Sequence, residues 1–400
     1  MPCRTTAALL LGACLALGAC QRSPAPPAGA AADPAAPATP KPANDTPAGQ
    51  RIEADVVALA DDAMEGRETG TPGYDRAAGY VAERFAALGL EPAGDDGGWR
   101  QAVPLLKGTA LAEGARLEVR RGGQATALEL RTQFLPGADF NRERSEVEAP
   151  AVFVGQAVHA PELGHDDFAG LDLRGKIAVV FGGAPGTFDD TRRAFHSSWR
   201  EKLRNLVERG AIGAVMVNTA DDEARYPWAR TAEQFGRPSM RLRGPDGRAI
   251  GAWPQLQATA VVSAAAADLL FEGGDMTSAQ LFDAARQGRL RGFDLPGTLL
   301  LAGRTRLEPA ESANVVGRIG GSDPVLAAEH VVYTAHLDHV GIGAEVDGDA
   351  IHNGALDNAL GVAIMLEAAR ELAQGSAPGR SLLFVALTGE EQGLLGAEWF

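Results

Sequence analysis

Histidine and carboxylate side chains cluster in three short segments near the end of the 400-residue chain. The segments are His-Leu-Asp-His at 336–339, Leu-Asp-Asn at 356–358 and Gly-Glu-Glu at 389–391. Imidazole nitrogens and carboxylate oxygens bind zinc, and carboxylates also accept and donate protons. Residues of these types therefore indicate a metal centre with an acid–base group beside it.

The elements that must position these residues can be read from the apolar pattern around them. Residues 331–335 predict a buried strand that ends at His336, and residues 382–387 predict another strand that ends just before the glutamates. Asp357 lies at the entrance of a helix predicted from the apolar stripe over residues 362–372. Because ligands bind at the carboxyl ends of strands in open α/β sheets, we expect the three segments to converge.

Each segment taken alone also has a purely structural explanation. Asp357 would serve as a helix N-cap, for which aspartate is a common choice. The glutamate pair would be two solvated side chains at the start of a helix, where the helix dipole favours them. A lone histidine is usually structural. The metal interpretation therefore depends on the three segments occurring together.

The spacing within two of the segments favours metal chemistry. If the extended geometry continues past the strand, His336 and Asp338 project from the same face, so that Asp338 can accept the second ring N–H and orient His336. Glu390 and Glu391 would repel each other unless a cation lay between them, with one glutamate as ligand and the other as base.

Together, the three segments resemble the co-catalytic zinc exopeptidases of the bacterial aminopeptidase and glutamate carboxypeptidase kind. The resemblance rests on His-Leu-Asp-His-Val-Gly at 336–341, Asn-Gly-Ala-Leu-Asp-Asn at 353–358 and Gly-Glu-Glu-Gln-Gly-Leu-Leu-Gly at 389–396, and it extends to Leu-Gly-Leu-Glu-Pro-Ala-Gly-Asp-Asp at 88–96. It implies an α/β fold with a mixed, mostly parallel central sheet covered by helices. It also implies two zinc ions per subunit as cofactors.

The resemblance assigns a role to five residues. Three would be zinc ligands: His336 for one ion, Asp357 as the bridge between both and Glu391 for the second. Asp338 would orient His336, and Glu390 would be the general base. The implied mechanism is attack on the peptide carbonyl by a hydroxide shared between the ions, with Glu390 passing its proton to the departing amine.

Other residues of the family pattern fall outside this set. His339 matches the motif in sequence but does not belong to the implied ligand set. The pattern also requires an Asp and a His later in the chain than the glutamate pair. We expect these two ligands to lie beyond Phe400, so that the C-terminal part of the catalytic domain is missing from the chain.

A β-rich region interrupts the catalytic pattern. From about residue 145 the chain predicts short strands such as 177–181, followed by a helix at 199–209. Residues 166–177 and 210–213 resemble the protease-associated domain that is often inserted in secreted peptidases, which implies a small, separate α+β module. We predict a first catalytic part, the inserted domain and a second catalytic part at residues 51–145, 146–295 and 296–400.

The first 50 residues are typical of an exported protein. Arg4 supplies a positive end, residues 7–17 form an apolar run too short to span a bilayer, and small residues follow. Leu-Gly-Ala-Cys ending at Cys20 resembles the bacterial lipobox, which implies lipidation of Cys20; a plain signal peptide is the alternative. We predict a signal at residues 1–20 and an Ala/Pro-rich tether at 21–50. The expected location is the cell envelope, on the periplasmic side of the outer membrane, or the periplasm or exterior.

Composition excludes several classes of partner and site. The formal net charge of −15 would repel phosphate backbones, so nucleic acid is excluded as a partner. All three cysteines lie within the first twenty residues, so no thiolate cage can hold a metal in the rest of the chain. Membrane contact is expected only through the lipid anchor.

The function that the resemblance implies is a zinc-dependent exopeptidase, foremost an aminopeptidase, acting on peptide or protein substrates. Two alternatives stay open. One is a catalytically incomplete peptide-binding module of the same fold at the cell surface. The other is a zinc acyltransferase related to glutaminyl cyclases, which would hold one zinc and release a cyclised product instead of a free amino acid.

Overall fold

The computed structural model describes residues 46–400. The helices are α1 Pro47–Leu59, α2 Pro72–Ala87, α3 Asp190–Ser197, α4 Trp199–Glu208, α5 Ala220–Arg225, α6 Trp228–Glu233, α7 Ala267–Phe271, α8 Ser278–Arg286, α9 Leu360–Gln374 and α10 Leu395–Trp399. The strands are β1 Glu91–Pro92, β2 Arg100–Arg121, β3 Gln124–Ala127, β4 Phe134–Pro136, β5 Arg144–Phe153, β6 His159–Ala160, β7 His165–Asp166, β8 Ile177–Phe181, β9 Gly213–Val217, β10 Ser239–Leu242, β11 Ala258–Val262, β12 Phe293–Ile319, β13 His330–His336, β14 Ile342–Val346, β15 Asp349–Ile351 and β16 Ser381–Leu387. Among residues 46–400, no helix is both long enough and apolar enough to cross a bilayer.

The first described helix begins inside the predicted tether. The predicted signal at residues 1–20, Cys20 and the tether up to residue 45 lie outside the described residues, whereas residues 47–50 form the first turn of α1. Thr46 caps this helix by accepting the Gly49 N–H at 3.1 Å, and Pro47 occupies the first turn, where its missing N–H has no cost. Arg51 then pairs with Glu367 of α9 at 2.7 Å. Helix α1 therefore begins before residue 51, where the sequence predicts the first catalytic part to start.

Two long strands, β2 and β12, organise the sheet. They run antiparallel over nearly their whole lengths, and β12 also pairs with β5 and with β16. The sheet order is β10–β2–β12–β5–β8–β9–β11–β4, and β16 joins β12 to β13. The predicted mixed α/β sheet covered by helices is confirmed. The long strands make antiparallel pairs more numerous than predicted. Among the strands of residues 46–400, the parallel pairs are β13–β16, β5–β8, β8–β9 and β9–β11.

The half of the sheet formed by β5, β8, β9, β11 and β4 will be called the insert half. Its core contains Phe153, Phe181 and Phe271, whose rings meet edge to face at centroid distances of 4.9 to 6.1 Å. The sequence predicts a small separate module here, but the strands continue one hydrogen-bonded sheet, because β12 pairs with β5 on one side and β2 on the other.

The opposite half, which will be called the site half, consists of β12, β16 and β13 with α1, α2 and α9 packed against them. Its core holds Leu59 of α1, Phe85 of α2, Leu366 of α9 and Phe384 of β16. The parallel pair β13–β16 places His336 directly opposite Leu387. Both strands therefore end at the same level of the sheet, which is the arrangement that the sequence predicts.

Candidate metal centre

His336 stands at the carboxyl end of β13 and faces two carboxylates. Its Nδ1 lies 3.1 Å from the main-chain oxygen of Asp338, an atom that can only accept, so Nδ1 is the donor. Its Nε2 lies 3.0 Å from Asp357 and 3.9 Å from Glu390. The nitrogen on the carboxylate side is therefore the one available to a metal.

Asp338 is fully buried and holds the loops around it together. Its carboxylate accepts the main-chain N–H groups of Glu390 at 3.1 Å and Glu391 at 3.2 Å, and the hydroxyl of Thr69 at 3.1 Å. The expected bond from the His336 ring to this carboxylate is absent from the structure: the closest approach is 3.9 Å, and the ring uses the main-chain oxygen instead. Burial raises the pKa of Asp338 to about 6, although the two N–H groups act in the opposite direction.

Asp357 lies in an irregular turn, Ala355–Ala359, which leads into α9. The structural explanation of this residue as a helix cap does not hold, because Asn358 supplies the cap, and its side chain accepts the Gly361 N–H at 3.1 Å. The Asp357 side chain is 66% exposed and its carboxylate contacts the His336 ring. It is thus open to both solvent and a metal.

The glutamate pair lies in the loop between β16 and α10. Glu391 accepts a hydrogen bond from Nδ1 of His339 at 2.8 Å. His339, Asp357 and Glu391 each offer a ligand atom, and these atoms all lie within 4.8 Å of one another. The structure therefore places His339, which falls outside the implied ligand set, inside the candidate cluster. The resemblance gave His339 no ligand role. Strand alternation could not place it either, because β13 ends at His336.

The donor set fits zinc. Histidine nitrogens and carboxylate oxygens are ligands that zinc accepts, and carboxylates held this close repel one another without a cation. Each exposed carboxylate of the cluster already faces an imidazole: Asp357 faces His336, and Glu391 faces His339. The structure thus brings together all five residues that the sequence singles out at this edge, and it adds His339 to them.

A segment far upstream, residues 66–69, supports the whole cluster and was not singled out from the sequence. Arg67 is fully buried and donates to the main-chain oxygens of Leu337 at 2.9 Å, Asn353 at 2.7 Å and Gly354 at 2.9 Å. Thr69 donates to Asp338 and accepts the Gly389 N–H at 3.0 Å. The segment Gly-Arg-Glu-Thr carries no periodic signal, so only the contacts reveal it.

The strand β10, which pairs with β2, and the residues before it contact the loops of the site. Arg237 donates to the main-chain oxygen of Val340 at 2.8 Å and lies 3.7 Å from Glu68. The Met240 N–H donates to the side chain of Gln392 at 3.0 Å. Two loops that carry candidate site residues are therefore braced from this side.

Comparison with protein families and solved structures gives two family matches and several structures of low similarity. Residues 314–400 match the model of Peptidase family M28, and residues 147–250 match the model of the PA domain. The resemblance that the sequence predicts is confirmed for these two segments. A search of the curated proteins finds no match.

Three solved structures illustrate the similarity. An aminopeptidase from Aneurinibacillus sp. strain AM-1 is 20% identical with a TM-score of 0.47, a zinc aminopeptidase from Bacillus subtilis is 17% identical with a TM-score of 0.37, and a peptidase M28 precursor from Shewanella amazonensis is 16% identical with a TM-score of 0.43. Each similarity covers 88% of this chain. The chain spans 65%, 64% and 69% of the respective structures, which is under two thirds for the two aminopeptidases.

Proposed function

We propose that the protein is a zinc-dependent exopeptidase that removes residues from the amino end of peptides. The observation that carries the proposal is the convergence of His336, Asp357 and the glutamate pair at one sheet edge, inside the segment that matches a peptidase family. Such a cluster of histidines and carboxylates at strand ends is the arrangement that a hydrolytic metal site requires.

In this proposal, His336, Asp357 and Glu391 would hold the zinc, since their donor atoms meet at this sheet edge. His339 orients Glu391 through its Nδ1 hydrogen bond. Asp338 orients both glutamates, because its buried carboxylate accepts their main-chain N–H groups. Ligands fixed by such hydrogen bonds keep one geometry during turnover.

Bound zinc would polarise the peptide carbonyl and make a water acidic enough to react near neutral pH. The remaining steps belong to the protein. Glu390, whose side chain is 35% exposed and 3.9 Å from His336, accepts the proton of the attacking water at its carboxylate. The same carboxyl group then gives this proton to the departing amine nitrogen.

The test is hydrolysis of a peptide panel by the zinc-loaded protein, with matched peptides that are free or acetylated at the amino end. We expect release of single amino acids from the free peptides and none from the acetylated ones. Release from the carboxyl end of acetylated peptides would refute action at the amino end but would still support exopeptidase activity. Absence of any release, together with retained peptide binding, would instead favour the binding module.

A peptide that begins with glutamine belongs in the same panel. An exopeptidase frees glutamine from it, whereas a glutaminyl cyclase-like acyltransferase leaves the peptide one ammonia lighter with a cyclised end. Mass spectrometry separates these products directly, so the panel distinguishes all three candidate functions.

A further inference from the structure

Arg67 is a buried cation that hydrogen-bonds to the main chain, while the carboxylates of Asp338 and Asp357 attract it from a longer distance. Its side chain is 0% exposed, and no ion pair joins it to any acidic group among residues 46–400. Its guanidinium instead donates to four main-chain oxygens, those of Leu59, Leu337, Asn353 and Gly354. Because it has no access to solvent, Arg67 cannot touch a substrate.

Three of the four oxygens belong to the segments that carry the candidate site, and the fourth, that of Leu59, belongs to the end of α1. Leu337 lies between His336 and Asp338, and Gly354 lies three residues before Asp357. The main chain around Arg67 makes further bonds to the same loops: Arg67 accepts the His339 N–H at 3.2 Å, and Gly66 accepts the Gly341 N–H at 3.1 Å. The planar guanidinium group has five N–H donors in fixed directions, so it can bond to several main-chain oxygens that lie on different sides of it.

We propose that Arg67 is a positioning residue that sets the spacing between the His336 loop and the Asp357 loop, and thereby the zinc affinity of the site. The inference rests on the proposed function, because it takes zinc as the metal. A positioning role and a purely electrostatic role of Arg67 predict opposite effects of its removal on zinc affinity. A positive charge near a metal site repels the metal, so an electrostatic role alone would make removal of Arg67 strengthen zinc binding.

The backbone around Gly66 offers an independent way to test positioning. Gly66 has a φ of +64°, and an added Cβ would lie 2.5 Å from the His352 oxygen and 2.6 Å from the Gly341 oxygen. Gly66→Ala must therefore shift the 66–69 segment away from the site loops while the charge of Arg67 stays in place.

Lys202 provides the matched control in the insert half. It is 1% exposed and likewise donates to main-chain oxygens, those of Gln156 and Gly183. Lys202→Met therefore removes a buried cation of similar surroundings without touching the site loops. Any effect that follows from lost stability alone would appear in this variant too.

The experiment measures zinc affinity by competition with a chelator, and amide hydrogen exchange on the zinc-free protein. For Arg67→Met and Gly66→Ala, we expect zinc affinity to fall about 10- to 100-fold, as for other residues that orient ligands. Exchange should accelerate at residues 336–341 and 353–358. Lys202→Met should leave zinc affinity unchanged and accelerate exchange only near residues 156 and 183.

Arg67→Lys is a second variant in case Arg67→Met does not fold. It keeps the positive charge, but its three donors lie on one nitrogen and cannot reach all four oxygens. We expect it to lose zinc affinity as well. Unchanged or tighter zinc binding in both Arg67→Lys and Gly66→Ala would overturn the positioning role. If the wild type binds no zinc, the proposed function fails, and hydrogen exchange alone then decides on Arg67: unchanged exchange at 336–341 and 353–358 would refute the inference.

Discussion

The site half and the insert half each contain a buried cation and a buried carboxylate that bond to the main chain. In the site half, Arg67 donates to main-chain oxygens and Asp338 accepts main-chain N–H groups. In the insert half, Lys202 donates to main-chain oxygens, and Asp167 accepts the N–H groups of Gln156 and Val158 at 3.0 Å each. Both pairs fix loops at strand ends.

The difference lies in what the fixed loops carry. In the site half they present His336, Asp357 and Glu391 toward one another at an accessible edge. In the insert half, the carboxylate of Asp167 is itself used by a histidine, His165, at 3.0 Å. Buried charged side chains therefore hold loops in place in both halves. Only in the site half do these loops also present the proposed metal ligands and the proposed base.

The substitution Glu390→Gln separates the structural role of the loop from the catalytic role of its side chain. The substitution keeps the main-chain N–H that Asp338 accepts and removes only the basic carboxylate. We expect turnover to fall roughly 10²- to 10⁴-fold, while zinc content and the melting temperature stay near those of the wild type. Full activity in this variant, measured on the same peptides, would eliminate Glu390 as the base.

The second test compares the two histidines of the site half. If His336 is a ligand and His339 orients Glu391, His336→Ala should weaken zinc binding by more than about 100-fold and His339→Ala by about 10- to 100-fold. Isothermal titration with zinc on both variants measures the difference. A larger loss of zinc affinity in His339→Ala than in His336→Ala would exchange the two roles. The zinc ligands would then be His339, Asp357 and Glu391.

The third test examines the insert half through pH. Burial lowers the pKa of Lys202 to about 8, from 10.5 in an exposed lysine. Between these values the unfolded chain binds more protons than the folded one, so stability rises with pH across this window. Relative to Lys202→Met, the unfolding free energy of the wild type should rise by up to about 3 kcal/mol between pH 8 and pH 10.5.

Denaturant unfolding of both proteins at several pH values gives this difference directly. Comparison with the variant cancels the titration of the other lysines and tyrosines. A difference that stays constant, or one that shrinks as the pH rises, would show that Lys202 is not held in an environment that disfavours its charge.

The smallest effect is expected at the contact between the residues before β10 and the His339 loop. Arg237→Met removes the bond to the Val340 oxygen but leaves Arg67 and Asp338 in place. We expect zinc affinity to fall by less than about 10-fold, since one hydrogen bond contributes about 1 kcal/mol. A loss as large as that of Arg67→Met would mean that the residues before β10 position the site as much as the 66–69 segment does.

Sequence alone was sufficient for the regular elements that carry the site. The apolar runs at 331–335 and 382–387 correspond to β13 and β16, and the stripe at 362–372 lies within α9. These patterns depend only on neighbouring residues. A buried parallel strand appears in the sequence as an apolar run, and a packed helix appears as a periodic apolar stripe. The convergence of the three segments then follows from the parallel order of the strands.

Sequence was insufficient where contacts connect distant residues through the main chain. Arg67 and Leu337 are 270 positions apart, and the acceptor is a carbonyl oxygen that any residue would supply. The same limit explains the capping by Asn358 in place of Asp357, because neighbouring residues compete for one N–H and only the backbone path selects between them. His339 was left out because the resemblance gives it no ligand role, and strand alternation cannot place a residue beyond the end of β13.

The most direct test of the account is the zinc content of the purified protein beside that of Asp357→Asn. The Asp357 side chain is 66% exposed, so the substitution has little reason to affect folding, and Asp347→Asn in the exposed turn between β14 and β15 is a matched control. We predict that Asp347→Asn binds as much zinc as the wild type and that Asp357→Asn binds less. Equal zinc content in all three proteins would contradict the claim that these strand ends form the metal centre.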